Sequence, residues 1–405
     1  MKINTTKTVD ELLTALSFIV DVEESVKYFH SWRVAIIADA LAKRMAAKRR
    51  REIFFAALLH DVGGIGLTKH IVHFLKLENK TNQLILLSHP IIGAQFVSII
   101  PKLNLCAKII LDHHEWYNGA GYPRGKSNNF ISLGSQLIRA ADTIDITLRT
   151  PRYANMRTLK TKLKESSDKE IEKNLARNAM RAIQQKNFLR SITDLSTITP
   201  LLYKIKNEVG PIPMPPREDI IGRTLEIMAQ IIDLKHPFTA GHSLRVSRYA
   251  MAIALAMKLK HDDVTKIKWA GLIHDMGKLS VPRSILDKPS SLTKKEFLII
   301  KKHPEMTREI LKMVPTFSEI SPIASEHHEY YNGSGYPFGL RAEESHLGAR
   351  ILTVCDAFDA MTSNRPYRNP LRAVAACTEI KKLAGIQFDP TIVKFALPIF
   401  RNLCL

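Results

Sequence analysis

HSLRVSRYAMAIALAM, residues 242–257, carries a periodicity and a histidine together. Val246, Tyr249, Ala250, Ile253, Ala254 and Met257 recur at the i, i+3, i+4, i+7 spacing that lines one face of an α-helix. The stretch has a counterpart in HSWRVAIIADALAKRM, residues 30–45, where Val34, Ile37, Ala38, Leu41, Ala42 and Met45 keep the same face. No convincing period-two block appears elsewhere. The expected fold class is all-α, with apolar stripes turned inward.

The correspondence extends outward from this helix. His60-Asp61 recurs as His274-Asp275, His89-Pro90 as His303-Pro304, and His113-His114-Glu115 as His327-His328-Glu329, all 214 residues later. Residues 118–123, NGAGYP, recur as NGSGYP at 332–337, and Asp142 and Asp356 keep the offset. The His30 motif recurs at His242 with an offset of 212, a two-residue change in length. A constant offset over separated motifs identifies a duplicated unit. Residues 207–216, NEVGPIPMPP, hold four prolines and a glycine, which cannot continue a helix and read as an extended linker. The expected organisation is an N-terminal domain at 1–206, a Pro-rich linker at 207–216 and a C-terminal domain at 217–405. Residues 157–190 hold ten Lys/Arg against four Asp/Glu and read as a basic, mostly solvated helix or helix pair.

With 405 residues, 45% apolar and 24% charged, the composition excludes a disordered, collagen-like or disulfide-stapled chain. The net charge of +20 favours anionic partners. Cys106, Cys355, Cys377 and Cys404 form no CxxC and read as reduced thiols. No apolar run approaches the roughly 18 residues needed to span a bilayer, and residues 12–20, preceded by Asp10 and Glu11, make a poor signal peptide. A cytoplasmic protein with no membrane partner is expected. The run Lys48-Arg49-Arg50-Arg51 reads as a solvated helix end, and no nucleic-acid signature accompanies it, so nucleic acid is disfavoured as a partner.

Ten of the fifteen histidines fall in the two recurring sets. Imidazole with carboxylate and no thiolate is a ligand mix for zinc, iron, manganese or nickel. His242, His274, Asp275, His303, His327, His328 and Asp356 are too many for one tetrahedral ion. They suit two ions at roughly 3.5–4 Å with a bridging carboxylate. His274 and Asp275, adjacent on one helix, would point about 100° apart and reach one cavity only if it lies over that face.

The set HxxRV, HDxGK, HP, HHExxNGxGYP and a late Asp resembles the HD-GYP family of metal-dependent phosphodiesterases, which cleave bacterial cyclic dinucleotides. The resemblance covers roughly 224–368 in the second copy and, less completely, 29–145 in the first. It implies helical HD-type domains and two divalent ions per site, iron or manganese. It implies that His242, His274, Asp275 and Asp356 hold one ion, and that His303, His327 and His328 hold the other with Asp275 bridging. It places Lys278 beside the reactive phosphate, Gly335, Tyr336 and Pro337 in a tight loop at the site mouth, and Arg365 and Arg368 on substrate phosphate. Some members carry a Glu one turn before the first His and bind a third ion. Here Phe238 and Val26 stand at that place, so two ions are expected. Glu329 and Glu115 are expected to orient imidazoles.

The first copy keeps a second candidate metal set, His30, His60, Asp61, His89, His113, His114 and Asp142. Yet Gly64 stands for Lys278, Pro151 for Arg365 and Ala154 for Arg368. Residues 281–293 keep a family pattern that 67–80 lack. A regulatory or structural first domain is expected. The function expected from the resemblance is hydrolysis of cyclic di-GMP or 3′3′-cyclic GMP-AMP, either to the linear dinucleotide or beyond it to mononucleotides, with Asp275 and Lys278 catalytic. The alternative is a non-catalytic dinucleotide sensor acting through signalling-protein partners. A homodimer is compatible with either reading.

Overall fold

The computed structural model describes residues 3–22, 29–64, 80–149, 155–185, 187–234, 240–364 and 369–402. The chain packs as two compact units, Asn4–Ile220 and Ile221–Leu405. The helices of the first are α1 Thr5–Val22, α2 His30–Met45, α3 Arg50–Leu59, α4 Lys80–Ile99, α5 Asn104–Leu111, α6 Leu133–Arg149, α7 Met156–Ser166, α8 Lys173–Ile183, α9 Phe188–Thr193 and α10 Leu195–Val209. Those of the second are α11 Glu218–Leu234, α12 His242–Ala256, α13 His261–Ile273, α14 Arg283–Leu286, α15 Lys294–Ile300, α16 His303–Leu311, α17 Ile320–Ser325, α18 Leu347–Thr362, α19 Ala373–Lys382 and α20 Pro390–Asn402. The described residues hold isolated β-bridges and no named strand, as the all-α expectation requires.

In each unit the helix that opens on the first histidine runs through the core. Val246, Ala250, Ile253 and Ala254 of α12 are fully buried, as are Val34, Ile37, Ala38, Leu41 and Ala42 of α2. Each valine, leucine or isoleucine among them contributes about 1.5–3 kcal/mol of hydrophobic stabilisation, and each alanine less. Helix α18 packs beside α12, and its Phe358 stacks on Phe400 of α20 at 3.9 Å between centroids.

The basic stretch at 157–190 is helical as expected, and one face of it is buried. It forms α7, α8 and the start of α9, and buries Leu159, Leu163, Leu175, Ala179 and Ile183. Its few apolar residues share one face, so the lysines and arginines line the wet side of helices that pack on the first unit. The proline-rich stretch begins inside α10 and then runs extended. Met214 exchanges backbone hydrogen bonds with Thr6 Oγ1 (2.9 and 3.3 Å), and Ile212 is buried. Two arginines of the Lys48–Arg51 run are also used internally: Arg50 pairs with Asp39 and Glu208, and Arg51 Nε donates to the Val209 carbonyl at 2.8 Å.

Candidate active site

Five segments of the second unit converge on one cluster, and each is aimed by local backbone chemistry. Gly241, with φ of 72°, turns the chain into α12, and the Asp233 carboxylate accepts from Ser243 N and Oγ (3.2 and 2.8 Å). His242 thereby sits at the helix start. His274 and Asp275 do not lie within a helix, contrary to the expectation above. Helix α13 ends at Ile273, and Asp275 opens a short 3₁₀ turn over Met276–Ser280. In that turn Gly277 packs so close to α16 that a Cβ there would lie 1.9 Å from the His303 carbonyl oxygen. Thr307 ties the two segments, accepting from Gly277 N and donating to the His274 carbonyl, both at 3.0 Å.

Four of the five imidazoles are oriented through Nδ1. Those of His274, His303 and His327 meet the carbonyls of Gly271, Ile300 and Ala324 at 2.8–2.9 Å. That of His242 meets Asp359 Oδ2 at 2.8 Å. The Nε2 atoms therefore face inward as lone-pair donors. Asp275 stands between two groups: Oδ2 is 3.5 Å from Nε2 of both His242 and His274, and Oδ1 is 3.4 Å from His303 Nε2 and 3.9 Å from His327 Nε2. Asp356 Oδ1 lies 3.3 Å from His242 Nε2. His242, His274 and Asp356 form one potential ligand group, and His303, His327 and His328 another. His242 Nε2, His274 Nε2 and Asp275 Oδ1 are buried without a hydrogen-bond partner. Buried, unsatisfied lone pairs on hard and borderline donors fit divalent cations.

The electrostatics divide the two groups: at His242 burial is outweighed by the carboxylates of Asp275, Asp356 and Asp359, which hold the ring well above the ordinary histidine range. Burial first, then neighbouring imidazoles and Lys278, pushes His303 and His327 well below the ordinary histidine range, and His328 down to about 4. These rings are neutral and can ligate. Burial would raise the Asp275 pKa, but the Lys278 ammonium and His274 outweigh it and hold the carboxyl well below its usual range. Lys278 Nζ is 2.5 Å from Asp275 Oδ2. A cavity of about 430 Å³ opens here, lined by Lys278, His303, His328, Tyr336, Asp356 and Gln387 among others.

The NGSGYP loop closes one side. Tyr336 stacks on His328 at 4.8 Å and Lys301 Nζ sits 4.7 Å over the Tyr336 ring. Gly335 is required, because a Cβ would lie 2.2 Å from Tyr330 N and 2.5 Å from the His328 carbonyl oxygen. The Tyr336–Pro337 bond is cis. Glu329 does not orient an imidazole. Its carboxylate accepts from Phe338 N (2.6 Å) and Leu340 N (3.0 Å), and Glu115 likewise holds Arg124 N and Lys126 N (2.7 and 2.8 Å). These glutamates anchor the loop, because the chain doubles back over them.

The orienting carboxylates are Asp359 and Asp145, which the sequence reading passed over. Arg245 Nε donates to Asp359 Oδ1 at 2.6 Å, and Arg33 Nε to Asp145 Oδ1 at 2.5 Å. A signal was present, since both aspartates follow the late Asp by three residues and keep the 214 offset. The first unit repeats the cluster. Asp61, His89, His113 and His114 form one group and His30, His60 and Asp142 another. Asp61 Oδ2 is 3.4 Å from His30 Nε2, and Oδ1 is 3.5 and 3.6 Å from His60 and His89. Gly64 supplies no ammonium. Arg365, Arg368, Phe238, Val26, Pro151 and Ala154 lie outside the described residues, as does nearly all of 67–80.

The HD domain family matches the chain twice, over residues 20–168 and 226–392. The chain belongs to the HD domain family, and its HHExxNGxGYP stretches are those of the HD-GYP branch. Among curated relatives, a 3′3′-cGAMP-specific phosphodiesterase 3 of Vibrio cholerae is 30% identical over 69% of this chain and 59% of its own length. A cyclic di-GMP phosphodiesterase of Thermotoga maritima is 37% identical over 46% of this chain and 51% of its own. The chain thus spans little more than half the length of these two relatives. A 3′3′-cGAMP-specific phosphodiesterase 1 of Vibrio cholerae is 29% identical over 84% of this chain and 80% of its own. A crystal structure of a cyclic GMP-AMP specific phosphodiesterase of Vibrio cholerae shares the fold with TM-score 0.66, 23% identity and 97% coverage of both chains.

Proposed function

We propose that the second unit is a metal-dependent phosphodiesterase that opens a bacterial cyclic dinucleotide, cyclic di-GMP or 3′3′-cyclic GMP-AMP. The observation that carries the reading is Asp275, whose two oxygens face two separate ligand groups beside Lys278 in one cavity. His242, His274, Asp275 and Asp356 would hold one ion, and His303, His327 and His328 with Asp275 the other, iron or manganese. Such ions acidify water near neutral pH and polarise phosphoryl oxygens. The attacking water gives up a proton as its oxygen bonds to phosphorus, the bond from phosphorus to the 3′ oxygen breaks, and the 3′ oxygen takes a proton. The product is the linear 5′-phosphorylated dinucleotide, and a second round gives mononucleotides. Lys278 Nζ stabilises the charge on the phosphoryl group or supplies that proton. Gly335, Tyr336 and Pro337 bound the substrate, and Arg365 and Arg368 grip its phosphate.

The first unit, with Gly64 in place of the lysine, is read as regulatory or structural. We take the protein to be cytoplasmic; among the described residues no helix is long and apolar enough to cross a membrane. The test is product formation from both dinucleotides by anaerobically purified protein loaded with iron or manganese. H274A/D275A and H60A/D61A variants run alongside. Loss in the first variant and retention in the second supports the assignment. Intact, metal-loaded protein that binds dinucleotide and cleaves neither overturns it in favour of a sensor.

A further inference from the structure

The duplication provides an internal comparison of two similar clusters. Backbone hydrogen bonds set the correspondence: Tyr331 N donates to the Gln387 carbonyl and Asn332 N to that of Ile386 (3.1 and 3.0 Å), and Tyr117 N donates to the Glu170 carbonyl and Asn118 N to that of Lys169 (3.1 and 3.0 Å). Glu170 therefore stands where the second unit has Gln387. On the neighbouring helix, three residues before the late Asp, Arg139 stands where the second unit has Thr353.

These exchanges change what covers the cluster. Thr353 Oγ1 turns back to the Ala349 carbonyl at 3.0 Å, and Gln387 lines the open cavity with Lys278, His328 and Asp356. In the first unit Arg139 Nε donates to Glu170 Oε2 at 3.0 Å and a second guanidinium nitrogen reaches the same oxygen. The remaining nitrogen, Nη1, lies 3.4 Å from His114 Nδ1 and 3.5 Å from Asp142 Oδ2. Trp116 lies against the guanidinium at 5.9 Å. The guanidinium thus lies on the pair of residues over which the second unit's cavity opens. The Asp142 side chain is 6% exposed against 16% for Asp356, and His114 is buried where His328 is half-buried.

We propose that Arg139 and Glu170 close the first cluster to dinucleotide, and that Thr353 and Gln387 are the exchange that leaves the second cluster open. The inference rests on reading the second site as a dinucleotide site. A cation fixed on His114 and Asp142 occupies the ground a substrate phosphate needs, and the pair is costly to part because Glu170 would be left buried without its countercharge. The first cluster then holds ions without admitting substrate, and the loss of the lysine is not the sole reason for silence.

The experiment is calorimetric titration of the full-length, metal-loaded protein with a hydrolysis-resistant phosphorothioate cyclic di-GMP and cyclic GMP-AMP, with metal content measured on each sample. Wild type is expected to take one dinucleotide per chain and R139T/E170Q two, with bound metal unchanged. The double variant carries a residue pair the same fold already accommodates. The mirror variant, T353R/Q387E, is expected to lose at least 100-fold in dinucleotide affinity and keep its metal, so the proposal is tested even if the first variant fails to fold. Two dinucleotides on wild type, or undiminished affinity in the mirror variant, overturns the closure alone. No dinucleotide on metal-loaded wild type overturns both the closure and the proposed function.

Discussion

The Lys278 ammonium lies 2.5 Å from Asp275 Oδ2, the oxygen that also faces His242 and His274. The contact comes from a single 3₁₀ turn, so the cation is held beside the shared carboxylate by local backbone geometry. Lys278→Met should lower turnover by about 10²–10⁴-fold, the usual contribution of a positioned acid or charge stabiliser. Bound metal should be unchanged, because no imidazole depends on the ammonium. Turnover assays paired with metal analysis check this, and loss of metal along with activity would make Lys278 a structural residue.

Asp359 fixes the His242 ring through a 2.8 Å contact to Nδ1 and is itself held by Arg245. Asp359→Asn keeps the shape and removes the carboxylate that favours the metal-ligating tautomer. Metal affinity of the second unit should fall by about 10–100-fold, read by competitive metal titration. An unchanged affinity would mean that the ring is held by packing.

Gly335 and Gly121 occupy equivalent loop positions, and a Cβ at Gly121 would lie 2.1 Å from Trp116 N. Either alanine variant has to displace backbone, at a cost of about 1–3 kcal/mol. Both should lower the unfolding midpoint, but Gly335→Ala alone should impair turnover, since its loop carries Tyr336 against His328. Equal loss of turnover in both variants would contradict the division of labour between units.

Asp21, buried, accepts from Ser31 N (2.9 Å) and Oγ (2.8 Å), and burial, opposed by His30 and those hydrogen bonds, raises its pKa to about 6 from 3.8. The folded state therefore binds this proton more tightly than the unfolded chain. The stabilisation is fully present below about pH 4 and is lost as pH rises through 6, a change of roughly 3 kcal/mol. Asp21→Asn should flatten that slope in denaturant titrations between pH 4 and 7. An unaltered slope would assign the pH dependence elsewhere.

The helical class, the duplication and the clustered histidines were legible because each is a spacing. A 3.6-residue period marks a buried helix face, and a constant offset marks a repeated unit, wherever the segments end up in space. Asp359 was legible by the same offset but has no meaning until α18 is seen against the start of α12. The orientation of His274 and Asp275 was not legible, since the helix ends before them where the following turn packs Gly277 against His303. Glu329 carries the right chemistry for an imidazole partner, yet the chain returns its own amides to it first.

What the sequence alone determined is thus the set of ligand-bearing residues and the faces they occupy. The tertiary structure decided what each polar atom meets. Arg139 and Glu170 are 31 residues apart, and nothing in either segment announces that a guanidinium will rest on His114 and Asp142. Hydrogen bonds and ion pairs act over about 3 Å, a distance that only the folded chain sets between residues so far apart in sequence.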